Sequence, residues 1–234
     1  MSSIADNIES VTRRIQKATL AAARPEHCVT LLAVSKTRPA DDIRKAFAAG
    51  QRAFGENYLS EAVAKIEELT DLPDLEWHFI GPIQSNKTRQ IAEHFHWVHS
   101  VDRGKIARRL DDQRNAQHPP LNVCLQVNID NETSKAGCTP EETTALAKTV
   151  AELPNLRLRG LMAIPDPNRS DNDIRLSFRR LAQLLDDVRQ ALPEYEGIDT
   201  LSMGMSADLE LAIQEGATCV RIGTALFGAR APKR

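Results

Sequence analysis

Residues 29–36 read VTLLAVSK, a short apolar run that ends on a serine and a lysine. A continuous apolar run of this length is typical of a strand buried on both faces, as strands of parallel sheets are. A helical pattern follows over about residues 39–49 and lies between Pro39 and Gly50. Proline at the start and glycine after the end are common at helix boundaries. The stretch therefore predicts one strand followed by one helix.

This strand–helix unit recurs along the chain. Further strands are predicted at residues 52–54, 77–80, 97–99, 121–129, 156–164, a short one ending at 201, and 219–222. Helical patterns separate these strands, and an amphipathic helix precedes the first of them. About eight evenly spaced units predict an α/β fold, a (β/α)8 TIM-type barrel with an extra N-terminal helix. An open doubly wound sheet uses the same alternation and is the structural alternative.

The composition is that of a globular protein with little net charge. Of 234 residues, 41% are hydrophobic and 26% are charged, and the formal net charge is -2. Such a balance offers no basic surface to a phosphate backbone, so we expect no nucleic-acid partner. The N-terminus is polar and acidic, unlike a secretory signal, and no apolar run approaches the roughly 20 residues of a membrane span. We expect a soluble, cytoplasmic protein with no membrane partner and a single domain over residues 1–234.

The four cysteines form no C-x-x-C pair, and a reducing compartment makes disulfides unexpected. Cys124 and Cys219 lie in apolar strand-like runs, where free cysteines behave as small hydrophobic residues. Cys28 has no assigned role, and Cys138 lies in a polar loop, which indicates exposure.

Three histidines, His94, His96 and His99, lie close together in the sequence. Their spacing does not suit one strand face, and no nearby cysteine or carboxylate completes a tetrahedral set, so we expect no metal. His78 falls in the predicted third strand and has no assigned role.

The sites of such barrels lie at the carboxyl ends of the strands. Lys36 directly follows the first apolar strand, so its amine would project into the mouth of the barrel. Partial desolvation there disfavours the charged ammonium, which is what a lysine needs to react as a nucleophile and form a Schiff base. A lysine at a strand end more often extends its ammonium into solvent, so Lys36 alone does not define a site.

A phosphate cradle is predicted across the same mouth. Gly223 follows the last strand and allows close approach of backbone to a ligand, and the amides of Gly223 and Thr224 would begin a short helix able to bind phosphate. The loop after the seventh strand adds hydroxyls, and Ser206 can cap the next helix. A turn glycine and an N-cap serine are the simpler interpretation of these residues. A lysine and a cradle at one mouth together favour a ligand site.

Six segments resemble signature segments of one known family. They are LLAVSKTRPA, FGENY, EWHFIGPIQSNK, LRGLMAIP, LSMGMSADLELAI and VRIGTALFG. The family is that of the pyridoxal phosphate homeostasis proteins, whose barrel is similar to the N-terminal barrel of alanine racemases. The resemblance runs from the first helix to Gly228 and implies that the cofactor is pyridoxal 5'-phosphate (PLP).

The resemblance also implies a role for each site residue. Lys36 would hold PLP as a Schiff base, while Arg221 would face the pyridine nitrogen. A permanently charged donor in that place keeps the ring nitrogen unprotonated and weakens the cofactor as an electron sink. The remaining predicted contacts are Asn57 near the ring, and Ser206, Gly223 and Thr224 at the phosphate.

Three functions are open at this point. The first is a PLP carrier of intracellular PLP homeostasis, without substantial catalysis of its own, that delivers PLP to apo PLP-dependent enzymes. The second is a PLP-dependent racemase-like enzyme, and the third is a barrel that binds another phosphate ester. A two-base racemase needs an acid/base opposite the lysine. In alanine racemases this is a tyrosine of a C-terminal domain of the partner subunit, into which this chain does not extend, and Tyr58 is the candidate replacement.

The absence of that domain also favours a monomer. Lys135, in the loop after the fifth strand, is interpreted either as a solvent-facing lysine or as a second amine near the mouth.

Overall fold

The computed structural model describes residues 3–133 and 135–229, and their core is a barrel of eight parallel strands. The strands are β1 (Thr30–Val34), β2 (Ala53–Glu56), β3 (Glu76–Phe79), β4 (Trp97–Val101), β5 (Leu121–Gln126), β6 (Leu156–Met162), β7 (Thr200–Ser202) and β8 (Cys219–Ile222). They pair in chain order. The barrel closes because β8 pairs with β1, which places Leu32 beside Arg221 and Ala33 beside Ile222. The predicted TIM-type barrel is confirmed, and the open sheet is excluded.

Nine helices are assigned within the described residues. They are α1 (Ile4–Ala21), α2 (Ala40–Ala48), α3 (Leu59–Glu68), α4 (Thr88–His94), α5 (Gly104–Gln113), α6 (Pro140–Ala151), α7 (Asp171–Ala191), α8 (Leu209–Gln214) and α9 (Thr224–Phe227). Their apolar faces pack on the barrel in one continuous hydrophobic core. In the part of the chain that the structure describes, none of the helices combines the length and the apolarity that a membrane crossing requires.

The predicted N-terminal helix is α1, and it packs against the last two helices of the chain. Ser3 and Asp6 form a capping box at its start, which satisfies two backbone amides that have no partner within the helix. Arg14 pairs with Glu210 of α8 through two hydrogen bonds of 2.7 and 2.9 Å. Asn7 donates to the carbonyl oxygen of Leu226 in α9 at 2.8 Å. The first helix is therefore fixed to the elements that follow β7 and β8.

The fifth strand is shorter than predicted: it ends at Gln126, although the Val127 N–H still donates to the Met162 carbonyl oxygen of β6, and the chain turns from Asn128 onward. The side-chain nitrogen Nδ2 of Asn128 donates to the carbonyl oxygen of Glu132, and its side-chain oxygen Oδ1 accepts from the Glu132 backbone N–H. This local pairing of an asparagine side chain with its own loop replaces the sheet ladder.

The exposure predicted for Cys138 is wrong. The loop after β5 folds back on the strand, so that Cys138 N donates to Gln126 O and Asn128 N donates to Cys138 O. The side chain of Cys138 is buried in consequence, and burial raises the pKa of its thiol. The burial predicted for Cys124 and Cys219 is confirmed, and the pKa of Cys219 is raised to about 11.

Gly160 offers a direct test of how closely β6 and β7 approach each other. A Cβ atom at this position would lie 1.8 Å from the carbonyl oxygen of Thr200. We expect Gly160→Ala to lower the free energy of unfolding by about 3 kcal/mol or more, because the backbone of one strand must move. The matched control is Gly50→Ala, where φ is +94° but nothing lies within 4 Å, so backbone strain alone costs about 1 kcal/mol. Equal losses for the two variants in urea unfolding would contradict this interpretation.

Candidate functional site

A pocket of about 280 Å³ lies at the carboxyl ends of the strands. Its volume is near the lower end of the roughly 300–1,000 Å³ typical of small-molecule sites. The six predicted site residues all line it, namely Lys36, Asn57, Ser206, Arg221, Gly223 and Thr224. They come from the ends of β1, β2, β7 and β8, which barrel closure brings to one rim. Lys36 and Ser206, which are 170 positions apart in the sequence, therefore line the same cavity.

The lysine at the mouth is supported from below by a buried ionic cluster. Ser35 precedes Lys36, and its hydroxyl donates to Glu56 Oε1 at 2.6 Å. Lys65 of α3 donates to the same carboxylate oxygen at 2.8 Å and to the Ser35 carbonyl oxygen at 2.8 Å. Glu61 also accepts from Lys65, at 2.5 Å. The backbone that carries Lys36 is thereby fixed to β2 and α3.

Glu56 is fully buried, so its charge depends on these neighbours. Burial raises the pKa of the Glu56 carboxyl, and the Lys65 ammonium opposes that rise. Buried charges are tolerated only when they are paired and hydrogen-bonded. The Ser35–Glu56–Lys65 cluster meets that condition at Glu56 Oε1, at the junction of β1 and β2, while Oε2 is buried without a hydrogen-bond partner among the described residues.

Asn57, the residue after this glutamate, presents an unpaired polar atom to the pocket region. Its side-chain oxygen Oδ1 is buried and has no hydrogen-bond partner among the described residues. A Cβ on Gly81 would lie 2.1 Å from the Asn57 carbonyl oxygen, so only glycine allows the loops after β2 and β3 to pack this closely. Buried polar atoms are nearly always satisfied, and one left without a protein partner in a cavity indicates a ligand or water.

Arg221 lies in the wall of the pocket with its guanidinium almost fully buried. Nη1 donates to the carbonyl oxygen and to Oγ of Ser202, at 2.6 and 2.9 Å, and Nη2 donates to the Ala163 carbonyl oxygen at 2.9 Å. Burial lowers the pKa of Arg221, but a guanidinium stays protonated at neutral pH. The pocket thus has a fixed positive charge whose group can only donate hydrogen bonds.

The phosphate side of the predicted site is formed by two loops. Gly223 is the residue before α9, and a Cβ there would lie 3.3 Å from the Val34 carbonyl oxygen. Ser206 does not cap α8 as predicted; Asp208 occupies that position, and its carboxylate accepts from the Met205 N–H at 2.5 Å. The carbonyl oxygen of Ser206 instead accepts from Arg14. Since the cap is another residue, the Ser206 hydroxyl has no helix-capping role and lines the pocket.

The second candidate amine, Lys135, lies beside this pocket and not in its lining. It borders a neighbouring cavity, donates to the Ile164 carbonyl oxygen at 3.1 Å and pairs with Glu132 at 2.7 Å. Tyr58 is 50% exposed and is also absent from the pocket lining, although it follows Asn57 directly. The hydroxyl of Tyr195 accepts from the Leu158 backbone N–H, so that tyrosine is a structural residue of β6.

One charged residue of the pocket and one chain of buried histidines could not be predicted from the sequence. Arg38 lines the pocket and donates to the Gly228 carbonyl oxygen at 2.5 Å, which holds the segment after α9 beside β1. His99 bonds to Ser202 at 2.7 Å and to His78 at 2.9 Å. These partners lie 103 and 21 residues away, and no local pattern relates them. Among the described residues, no group of three or more histidines, cysteines and carboxylates could hold a metal ion.

The barrel and its mouth define a class of protein. The family model described as "Alanine racemase, N-terminal domain" matches residues 2–231. A pyridoxal phosphate homeostasis protein of Pseudomonas aeruginosa is 64% identical over 230 residues, or 98% of this chain and 97% of that protein. This chain belongs to the pyridoxal phosphate homeostasis protein family, which confirms the resemblance found in the sequence.

Two solved structures of PipY from Synechococcus elongatus PCC7942 share the architecture. The form without PLP is 42% identical, with a TM-score of 0.86 over 97% of this chain and 100% of that chain. The form with PLP bound is 40% identical, with a TM-score of 0.83 over the same shares. The barrel is thus the same as that of a relative whose structure contains PLP.

The buried ionic cluster gives a stability prediction. Lys65→Met leaves the Glu56 carboxylate buried without its cation, and we expect a loss of about 3–5 kcal/mol in the free energy of unfolding. Adding Glu56→Gln removes the stranded charge and should restore most of the loss. Lys45→Met, at an exposed lysine paired only with Asp42, is the control and should change stability by less than about 0.5 kcal/mol. Urea unfolding measures all three, and a loss below 1 kcal/mol for Lys65→Met would contradict the assignment.

The buried histidines give a pH prediction. Burial lowers the pKa of both His78 and His99 from the ordinary value of 6.5. The folded protein therefore binds fewer protons than the unfolded chain below about pH 6.5, and stability falls as the pH drops through that value. The slope is at most about 1.4 kcal/mol per pH unit for each histidine.

His78→Gln should make the dependence of unfolding free energy on pH shallower between about pH 5.5 and 7. An unchanged slope in that variant would contradict the prediction, because it would mean that His78 has the same pKa in the folded and unfolded states.

Proposed function

We propose that this protein binds PLP in the pocket at the carboxyl ends of the strands and takes part in PLP homeostasis. The observation that carries the proposal is that one 280 Å³ cavity is lined by Lys36, by the buried Arg221 and by the Ser206 and Gly223–Thr224 loops. PLP has an aldehyde, a ring nitrogen and a phosphate, and each has a matching group in this lining. The proposal also takes residues 1–234 to be one PLP-binding domain.

Lys36 supplies the covalent link. Its amine is the group that would hold the PLP aldehyde as a Schiff base, with the aldehyde oxygen released as water.

The other contacts orient the cofactor. The guanidinium of Arg221 is assigned to the ring nitrogen, and Asn57, with its unpartnered buried oxygen, is assigned to the ring. Ser206, Gly223 and Thr224 are assigned to the phosphate, which accepts hydrogen bonds from hydroxyls and from backbone N–H groups. The residues present therefore fit the cofactor.

A carrier function follows from the arginine. A donor that cannot lose its proton keeps the ring nitrogen unprotonated, and the ring then draws electrons less strongly from a bound substrate. We propose that the protein holds PLP, passes it to apo PLP-dependent enzymes, acts as a monomer in the cytoplasm and catalyses little amino-acid chemistry. The names of its relatives, which are homeostasis proteins, support this function.

A racemase function has less support. It requires a second acid/base across the cofactor from Lys36, and Tyr58, the candidate, is half exposed and outside the pocket lining. Slow residual chemistry would not conflict with the proposal, whereas turnover of alanine at ordinary enzymatic rates would.

Borohydride trapping tests the cofactor, the covalent bond and the residue in one experiment. After incubation with PLP and reduction, we expect one pyridoxyl group on the peptide that contains Lys36. Lys36→Ala should lose nearly all of this label, since no other amine lines the pocket among the described residues. Lys45→Ala, at an exposed lysine of α2, is the matched control and should label like the wild-type protein.

Labelling of Lys135→Ala separates the two amines near the mouth and should equal that of wild type. If Lys36→Ala is labelled as strongly as the wild-type protein, PLP is bound at another amine and the proposal is overturned. A colourless protein that borohydride does not label would overturn it in favour of another phosphate ester.

A further inference from the structure

A chain of four hydrogen bonds crosses the barrel interior beneath the pocket. Arg221 Nη1 lies 2.9 Å from Ser202 Oγ, which lies 2.7 Å from His99 Nδ1. His99 Nε2 lies 2.9 Å from His78 Nδ1, and His78 Nε2 lies 2.7 Å from Glu76 Oε1. Because β4 and β7 are not neighbours in the barrel, the bond between His99 and Ser202 passes through its interior. We call these five residues the relay.

The relay joins the two ends of the barrel. Arg221 lines the pocket at the carboxyl ends of the strands. Glu76, His78 and His99 line a separate cavity of about 290 Å³, together with residues at the amino ends of β1, β7 and β8. The Glu76 side chain is 47% exposed, so its carboxylate is in contact with water. One terminus of the relay is therefore a solvated anion and the other is a buried cation.

The two termini fix the direction of every bond between them. A carboxylate only accepts, so His78 donates to Glu76 from Nε2 and, being neutral, accepts at Nδ1. His99 must then donate from Nε2 and accept at Nδ1, which makes the Ser202 hydroxyl its donor. With its proton committed to His99, Ser202 Oγ accepts from Arg221, which only donates. If the donor and the acceptor of any one of these bonds were exchanged, a neighbouring bond would be left with two donors or with two acceptors.

This arrangement requires neutral histidines, and their surroundings favour that state. His78 and His99 are 3% and 1% exposed. Burial lowers the pKa of both, and the nearby positive charge of Arg221 adds to the effect on His99. The His78 ring also stacks on the Trp97 indole, with 5.4 Å between centroids and 6° between planes, which fixes its orientation.

We propose that Ser202, His99, His78 and Glu76 are positioning residues for Arg221. The relay keeps the Ser202 oxygen as an acceptor, and with the Ser202 and Ala163 carbonyl oxygens it holds the guanidinium so that its remaining N–H groups face the pocket. There they can donate to an unprotonated ring nitrogen. The inference rests on the proposed function, because it assigns Arg221 to the PLP ring.

The first test needs no cofactor. In protein labelled with 15N-histidine, NMR should show His78 and His99 as neutral rings protonated on Nε2 at pH 7.5. The variants His78→Gln and His99→Asn serve only to assign the two signals. A charged ring, or a proton on Nδ1 of either histidine, would overturn the relay.

The second test compares PLP binding by His99→Asn and His99→Leu. A packing role and a hydrogen-bonding role of His99 predict opposite orders of affinity for these two variants. His99→Asn places a carbonyl oxygen near the position of Nδ1, where it accepts from Ser202. His99→Leu fills the space with an apolar group and leaves the Ser202 hydroxyl without its acceptor. If His99 acts only by packing, the leucine variant should bind PLP as well as or better than the asparagine variant.

We expect the reverse, measured by absorbance titration with PLP. His99→Leu and Ser202→Ala should each weaken PLP binding by about tenfold and move the absorption maximum of the bound cofactor, whereas His99→Asn stays within about threefold of wild type. Equal affinities and spectra for the leucine and asparagine variants would overturn the inference while leaving PLP binding intact.

Glu76→Gln extends the test to the far end of the barrel, outside the PLP pocket. It keeps the shape and removes the charge that fixes His78, so the NMR signals of His78 should show both neutral ring forms. A His78 still protonated only on Nε2 would overturn the role of Glu76. If instead wild-type protein fails to bind PLP, the proposed function fails, and the NMR result on the wild-type protein still decides the relay.

Discussion

The pairing of β8 with β1 is the constraint on which the site depends. It places Leu32 beside Arg221 and Ala33 beside Ile222, so the chain leaves both strands at the same rim. Lys36 and the Gly223–Thr224 turn then lie side by side in the lining of one cavity, although Lys36 and Gly223 are 187 positions apart in the sequence. In an open sheet, where the first and last strands do not pair, these two segments would not adjoin. Closure of the barrel thus converts two unremarkable sequence features into one binding site.

Buried charges at this rim are stabilised in two different ways, by an ion pair and by neutral hydrogen-bond acceptors. Below Lys36, the Glu56 carboxylate and the Lys65 ammonium neutralise each other inside the protein. Arg221 has no carboxylate in direct contact among the described residues; carbonyl oxygens and a hydroxyl surround it, and the Asp208 carboxylate attracts it only through a longer-range Coulomb interaction. Dipoles can stabilise a buried charge without cancelling it. The arginine therefore keeps a positive field toward the pocket.

Much of this molecule could be predicted from its sequence, because barrel units are local. Apolar runs, helix caps and glycine stops each act within one unit, and they predicted the order of the strands and the rim where a site would lie, while the family resemblance supplied the roles of Asn57 and Arg221. Where local chemistry misled, a contact with a distant or returning segment decided the outcome. Cys138 is buried because its loop folds back on Gln126, and Ser206, whose carbonyl oxygen accepts from Arg14 of α1, lies two residues before the N-cap position of α8. The partners of His99 could not be predicted, since they depend on which side chains meet inside the closed barrel.

The contacts of α1 have a consequence for the order of folding. This helix bonds to Leu226 and Glu210, at sequence separations of 219 and 196 residues. Its apolar face, with Val11 and Ile15, is covered only after α8 and α9 have docked on it. Contacts between segments so distant in sequence form slowly, because a long loop must close before they are made. The amphipathic helix therefore stays uncovered in any intermediate that lacks the last two strand–helix units, and such an intermediate is prone to aggregate.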